Sequence, residues 1–171
     1  MNITATWEET LDHAYFFPKI IVTGNQRSGT TYAAYAIAKE LGYQHIDEMK
    51  FKAHNDSLFR QILNKDMIVV QAPAMLHKLP EMNLSNCLVI FMTRDSTDII
   101  KSMTRIGWIN REAPREYLKY STEPLSDIHQ LIDIKNQFIN RIPHIKLPYT
   151  ELQKSDGFIK DRNNFTEKQI V

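Results

Sequence analysis

Cysteine is nearly absent from this sequence, since Cys87 is the one cysteine among 171 residues. An internal disulfide is therefore excluded, and because Cys87 lies in an apolar run, a buried structural thiol is expected. An excess of charge of one sign is also missing. Lys and Arg number 21 against 20 Asp and Glu, which gives a formal net charge of +1. No global field therefore favours nucleic acid or an acidic membrane surface as a partner.

Long apolar runs are absent as well. No run approaches the roughly 20 apolar residues that a membrane-spanning helix needs, and the N-terminus has two acidic residues instead of a signal-peptide core. We therefore expect a soluble, cytoplasmic protein without a membrane span. The hydrophobic content of 43% suits one globular domain over residues 1–171. The histidines show no metal-ligand spacing with one another or with Cys87, so no metal is implied.

Short apolar segments alternate with helical ones along the chain, which predicts a doubly wound, mostly parallel α/β sheet. Such a sheet binds its ligand at the carboxyl ends of the strands. Residues 1–17 are expected to be a short leader with a helical turn, and the polar segment 108–124 is expected to be exposed and to recognise an acceptor. Strands are predicted at 20–23, 43–48, 66–73, 87–93 and 144–149, a helical turn at 76–79, and helices at 30–41, 55–64, 98–105 and 126–142.

A glycine-bounded loop from Gly24 to Gly29 follows the first of these strands and leads into the Ala-rich helix. A strand, a glycine loop and a helix in this order hold a phosphate group with backbone N–H groups and the positive end of the helix dipole. The glycine spacing is that of the loop G-x-x-x-x-G-K-[ST], but Thr30 stands in place of the lysine, and Arg27 carries a positive charge inside the loop. This weakens the prediction of an ordinary ATP site. A turn without a ligand is the alternative.

A second basic motif follows the strand 87–93. Arg94 comes directly after that strand and therefore lies at its carboxyl end, while Ser102 lies on the next helix. An arginine fork with a hydroxyl nearby suits a phosphate dianion, because the hydrogen bonds are directional and charge-assisted. The alternative is structural, since Arg94 also precedes Asp95 at the start of a helix.

The sequence Gly-Asn-Gln-Arg-Ser-Gly-Thr-Thr, together with Arg94 and Ser102, resembles the motifs of sulfotransferases that use 3′-phosphoadenosine 5′-phosphosulfate (PAPS). Their Pro-Arg-Ser-Gly-Thr-Thr loop holds the 5′-phosphosulfate, and Gln26 replaces its proline here. The order of motifs is most similar to the protein-tyrosine sulfotransferase branch. The resemblance implies a sulfotransferase-like P-loop domain, PAPS as cofactor, adenosine 3′,5′-bisphosphate as product, and sulfuryl transfer to a hydroxyl acceptor of unknown class.

The resemblance also implies roles for individual residues. Glu48 falls on the position of the family's general base, with Asp47 and His77 as alternatives, and Arg27 is the second catalytic residue. Gln71 stands where the family has a lysine, and it supplies no charge. The implied cofactor-binding residues belong to the loop, to the pair that binds the 3′-phosphate and to a position near the adenosine: Gln26, Arg27, Ser28, Gly29, Thr30, Thr31, Arg94, Ser102 and Tyr149. A place in the apolar core explains Tyr149 equally well.

Two other functions fit the same residues. A nucleotide-binding protein of this fold with weak or no transfer activity is favoured by the neutral Gln71. A P-loop kinase acting on a small metabolite is the second alternative, and Thr30 in the lysine position counts against it.

Overall fold

The computed structural model describes residues 2–108 and 128–155. Within these residues the strands are β1 (Asn2–Thr4), β2 (Lys19–Gly24), β3 (Gln44–Ile46), β4 (Ile68–Gln71), β5 (Cys87–Thr93) and β6 (His144–Pro148). They form one sheet in the order β1-β6-β5-β2-β4-β3, and every neighbouring pair is parallel. The predicted parallel α/β fold is therefore confirmed.

Helices connect the strands and cover both faces of the sheet. The described α-helices are α1 (Trp7–Ala14), α2 (Thr30–Leu41), α3 (Asp56–Ile62), α4 (Ser96–Arg105), α5 (Ile128–Phe138) and α6 (Tyr149–Gln153). Three 3-10 helices, Glu48–Phe51, Pro73–Glu81 and Ile139–Arg141, complete these layers. Among the described residues, no helix has the length and apolar character needed to cross a membrane.

β2 is central because both of its edges are paired and both of its faces are buried. It pairs with β4 and with β5, and Ile20, Ile21 and Val22 are fully buried. A parallel strand covered on both faces is a continuous apolar run rather than an alternating one, which is the pattern that predicted it. β2 therefore directs the chain into the glycine loop from the middle of the sheet.

Two apolar layers hold the helices against the sheet. On one face α2 contributes Ala33, Ala34 and Ile37 to a core that also contains Ile20 and Val22 of β2. The other face is covered by the first two 3-10 helices, α3 and α5, with Phe51, Phe59 and Met75 among its fully buried side chains. The loop at the end of β2 thus lies between two packed layers.

Several boundaries differ from those predicted. The leader contains the edge strand β1, which three residues are too few to predict and whose one partner within residues 2–108 and 128–155 is the distant β6. The strand predicted at 43–48 ends at Ile46, and Glu48 begins a 3-10 helix instead. The helix predicted at 126–142 is helical from Ile128 to Phe138 and then changes to a 3-10 turn. Except for Trp108, the predicted acceptor segment 108–124 lies outside the described residues, as do residues 156–171.

His144, at the start of β6, makes the stability of the fold depend on pH. The side chain is buried, its Nδ1–H donates to the Ile142 carbonyl at 2.8 Å, and burial lowers the pKa of the imidazole. The unfolded chain therefore takes up a proton more readily than the folded one, and stability falls as the pH drops below the ordinary histidine pKa of about 6.5. In urea titrations between pH 7.5 and 5, we expect His144→Asn to weaken this dependence. Replacing the exposed His129 by Asn is the matched control, and equal pH slopes for wild type and His144→Asn would contradict the prediction.

Candidate functional site

The loop between β2 and α2 has the backbone shape of an anion-binding turn. Gly24, Arg27 and Gly29 have φ values of 147°, 68° and 94°. A Cβ atom on Gly24 would lie 2.8 Å from the Met92 carbonyl oxygen, so this position has no room for a side chain. When residues of positive φ occur within a turn, successive backbone N–H groups point to the same side, and there they can bind an anion. α2 begins directly after Gly29, which adds the positive end of its dipole.

Ser28 stabilises the loop from inside. Its side chain is fully buried, and its hydroxyl donates to the Asn25 carbonyl at 2.6 Å. The backbone N–H of Ser28 donates to the same carbonyl at 3.2 Å. The hydroxyl that the sequence motif assigned to a ligand is thus engaged in the loop's own structure.

The structure brings the two predicted phosphate motifs into one cluster. Arg27 Nε donates to Ser102 Oγ of α4 at 3.0 Å, and Arg94 Nη1 donates to the Arg27 carbonyl at 2.9 Å. The contact follows from strand order, because β5 lies beside β2 and its carboxyl end therefore delivers Arg94 to the loop. Two guanidinium groups lie together on the β5 side of the loop.

Tyr149 fixes the other wall of this cluster. It is the first residue of α6 and not the strand residue that the sequence suggested. The Arg94 Cζ atom lies 4.2 Å from the centre of its ring, a cation–π contact. The same ring would lie 2.7 Å from a Cβ atom on Gly29. The tyrosine thus packs on the loop and holds Arg94 in place.

Gln71 ends β4 next to the start of α2. Its Nε2 donates to Thr31 Oγ1 at 2.8 Å, and the side chain is only 3% exposed. The Oε1 atom of Gln71 has no hydrogen-bond partner among the described residues. A buried amide oxygen without a partner is costly, so this atom marks a place where a ligand or water would gain a hydrogen bond.

Glu48, the predicted general base, lies at the carboxyl edge of the sheet after β3. It begins the 3-10 helix Glu48–Phe51, and Asp47 caps that helix by accepting from the Met49 N–H at 2.9 Å. The two acids therefore have different positions. Asp47 is engaged as a cap, whereas Glu48 is half-buried and acts electrostatically on Lys135 of α5.

Lys135 is a buried cation that sequence analysis missed. Its side chain is 8% exposed on the apolar face of α5, between Leu131 and Phe138. Burial lowers the pKa of Lys135 to about 8, while the nearby charge of Glu48 opposes this change. The ammonium group is therefore still charged at neutral pH.

α5 is held at the loop by a side-chain hydrogen bond. Asn136 Oδ1 accepts from Asn25 Nδ2 at 3.0 Å. Asn25 is the second residue of the glycine loop and is 4% exposed. Lys135 directly precedes Asn136 in α5, and the same helix also packs on α4 through Ile132.

Solved structures with a similar fold include two shikimate kinases. The enzyme from Acinetobacter baumannii, in complex with shikimate, has a TM-score of 0.57 and 14% identity, and the match covers 91% of this chain and 99% of that one. The enzyme from Bacteroides thetaiotaomicron has a TM-score of 0.50 and 15% identity, with 74% and 84% covered. No protein-family model matches the chain, and no curated protein matches it significantly. The chain thus shares with these two structures the fold of a parallel sheet flanked by helices.

These similarities correct the family prediction. The similar structures are kinases and not sulfotransferases, so the predictions of a PAPS-dependent sulfotransferase, of sulfuryl transfer, and of PAPS with its product adenosine 3′,5′-bisphosphate are wrong. The physical reason lies in what the motifs encode. A glycine loop before a helix, with an arginine after the neighbouring strand of the sheet, is a general way to hold phosphate. It does not identify the group that is transferred.

The residues that sequence analysis missed are Asn25, Lys135 and Asn136. For Lys135 a signal was present, because its spacing from Leu131 and Phe138 places it on the apolar face of α5. A charged residue on such a face rarely stays buried without a function or a partner. The bond between Asn25 and Asn136 joins segments that are distant in sequence, and local patterns do not contain it.

The close packing of Gly29 leads to a testable difference between two glycines. In Gly29→Ala the alanine must adopt a φ of 94°, and its Cβ atom must displace the Tyr149 ring. In Gly42→Ala, at the end of α2, the alanine must adopt a φ of 68°, but its Cβ atom has no other atom within 4 Å. We expect Gly42→Ala to cost about 1 kcal/mol of unfolding free energy, and Gly29→Ala to cost at least about 2 kcal/mol, in urea titrations. Equal losses in the two variants would show that Tyr149 does not pack on the loop.

Lys135 leads to a second prediction, about stability. The pKa of Lys135 is about 8 in the folded protein, below the usual value of about 10.4 for a lysine in the unfolded chain. Between these two pKa values the unfolded chain binds more protons than the folded one, so the free energy of unfolding rises with pH. We expect Lys135→Met to be more stable than wild type at pH 7 by about 1 to 3 kcal/mol and to lose this rise. Glu48→Gln is expected to destabilise the protein, because it removes the charge that compensates the ammonium group, and adding Lys135→Met should reverse the loss. A less stable Lys135→Met protein would contradict the prediction.

Proposed function

We propose that this chain is a P-loop kinase, which transfers a phosphoryl group from a nucleoside triphosphate to a hydroxyl group of a small metabolite. The glycine loop at the end of the central strand is the observation that carries the proposal. The loop has a phosphate-binding backbone, and it occurs in a fold shared with shikimate kinases along most of the chain. One of those structures holds shikimate, a small metabolite, which supports an acceptor of that size.

The arginine cluster serves the phosphate groups of the donor. Arg27 and Arg94 lie on the β5 side of the loop, where their guanidinium groups neutralise part of the negative charge of the donor phosphates. Guanidinium groups suit this task because their donors form paired hydrogen bonds with phosphate oxygens. The Nε atom of Arg94 is buried and has no hydrogen-bond partner among the described residues, so it retains a donor for a ligand.

Glu48 is the proposed general base on the acceptor side. The acceptor oxygen forms the new bond to the γ-phosphorus, and the bond from that phosphorus to the bridging oxygen of the donor breaks. The nucleoside diphosphate leaves, and the hydroxyl proton goes to the Glu48 carboxylate. Asp47 is less suited to this role, because its carboxylate caps a helix.

Kinase chemistry also involves Mg²⁺, which neutralises the phosphate charge. The described residues contain no group of three or more His, Cys, Asp or Glu side chains that could hold a metal ion. Two oxygen atoms lie beside each other here: the hydroxyl of Thr31 in the first turn of α2, and the Oε1 atom of Gln71 at the end of β4, which has no partner among the described residues. They fit an ion that is bound mainly by phosphate oxygens and water, which is the usual coordination of Mg²⁺ in such sites.

A nucleotide-binding protein without transfer activity is the second candidate. Thr30 favours it, because the lysine that normally contacts the transferred phosphate is missing from the loop. Such a protein would bind nucleoside diphosphates and triphosphates alike and would form no phosphorylated product.

Thermal unfolding with nucleotides tests the proposal. We expect MgATP or MgGTP to raise the melting temperature more than adenosine 3′,5′-bisphosphate or AMP, because only the triphosphates fill both the loop and the arginine cluster. At a concentration 100 times the Kd, the stabilisation is about 2.7 kcal/mol, or roughly 5 to 10 °C for a chain of this size. Arg94→Ala should lose most of this shift.

Arg105→Ala is the matched control, because Arg105 is an exposed arginine at the end of α4. It should keep the full nucleotide shift. A larger shift with adenosine 3′,5′-bisphosphate than with any triphosphate, or no shift with any nucleotide, would overturn the kinase proposal.

A further inference from the structure

The loop lacks a lysine at position 30, yet phosphoryl transfer needs positive charge on the acceptor side of the transferred group. The two arginines do not provide it. Arg27 is turned toward Ser102 on α4, and Arg94 lies over Tyr149, so both lie on the β5 side. Glu48, after β3, lies on the opposite side.

Lys135 is a further cation on the helix that is bonded to the loop. Asn136 is hydrogen-bonded to Asn25 inside the loop, and the residue before it, Lys135, is buried and electrostatically coupled to Glu48. Lys135 is therefore one residue away from a side-chain contact with the phosphate loop, and it is coupled to the charge of the proposed base. Burial lowers the pKa of Lys135 to about 8, which leaves the ammonium group charged at neutral pH.

We propose that Lys135, supplied by α5, replaces the missing loop lysine and contacts the phosphoryl group in transit, with Glu48 as its counter-ion in the absence of nucleotide. This inference rests on the proposed kinase function and adds a specific cation to it. When a triphosphate binds, the ammonium group exchanges the Glu48 carboxylate for the γ-phosphate oxygens. Glu48 is then released to accept the proton of the acceptor hydroxyl, so one exchange prepares both groups.

The energetics favour this role over a structural one. A buried lysine beside a partly buried glutamate is often no more stabilising than apolar residues of the same size, because desolvation of the charges offsets their attraction. The face of α5 around Lys135 is otherwise apolar and would accommodate a methionine. A charged pair held against a phosphate loop is instead typical of groups that exchange partners during a reaction.

The inference is tested by calorimetric titration of MgATP and MgADP against four proteins: wild type, Lys135→Met, Lys135→Arg and Lys19→Met. Wild type should bind MgATP more tightly than MgADP, because the γ-phosphate gains the Lys135 contact. In Lys135→Met we expect MgATP affinity to fall by roughly tenfold or more, as for the loss of a charged hydrogen bond, with MgADP affinity unchanged. Lys135→Arg keeps the charge and should retain part of the preference.

Lys19→Met is the matched control. Lys19 is also a largely buried lysine with a carboxylate partner, Asp66 at 3.4 Å, but it begins β2 at the opposite edge of the sheet. It should bind both nucleotides as wild type does. Melting curves without nucleotide show whether each variant is folded.

Glu48→Gln gives a second measurement that does not depend on the Lys135→Met protein alone. Releasing Lys135 from its counter-ion should raise MgATP affinity, and the gain should be smaller in the Lys135→Met background. If wild type binds both nucleotides but Lys135→Met keeps the full MgATP preference, the lysine inference is wrong and the kinase proposal stands. If wild type binds neither nucleotide, both are overturned.

Discussion

The pairing of β2 with β4 on one side and β5 on the other determines where the central residues of the candidate site lie. Because all three strands are parallel, their carboxyl ends meet at one edge and deliver the glycine loop, Gln71 and Arg94 to the same place. Backbone hydrogen bonds and burial on both faces hold β2 firmly, so the loop is attached to a rigid element. The strained φ values of the loop are tolerated because this scaffold and the Tyr149 ring hold it.

Sequence periodicity predicted the fold well wherever an element carries its own pattern. β2 and β5 are continuous apolar runs, α2 ends at a glycine, and Asp95 caps α4, so these elements were predicted within a few residues. The strand β1 was not predicted because three residues contain no pattern and because it pairs with β6, which lies far away in the sequence. The strand before Glu48 was extended too far, because the Asp47 cap that starts the 3-10 helix resembles a polar strand end.

The residues of the candidate site likewise comprise some that local patterns predict and others that depend on tertiary packing. Local motifs identified Arg27, Arg94 and Ser102, and the structure brings them together, but the motifs did not show that they form one cluster. Lys135 and Asn136 belong to the site only because α5 crosses to the loop, which is a tertiary fact. The transferred group was predicted wrongly for a related reason. Phosphate-binding geometry is common to many reactions, and the residues that distinguish those reactions lie outside the loop motif.

The distribution of charge around the loop connects these observations. A loop lysine in an ordinary P-loop protein joins the backbone cradle and the transferred phosphate in a single residue. Here the positive charge comes from Arg27 within the loop, Arg94 after β5 and Lys135 on α5. Charges on separate elements coincide only in the folded protein, and burying one of them lowers stability. Apolar side chains would serve packing at Lys135 as well as a charged one, and this is why we propose that the Lys135–Glu48 pair takes part in chemistry.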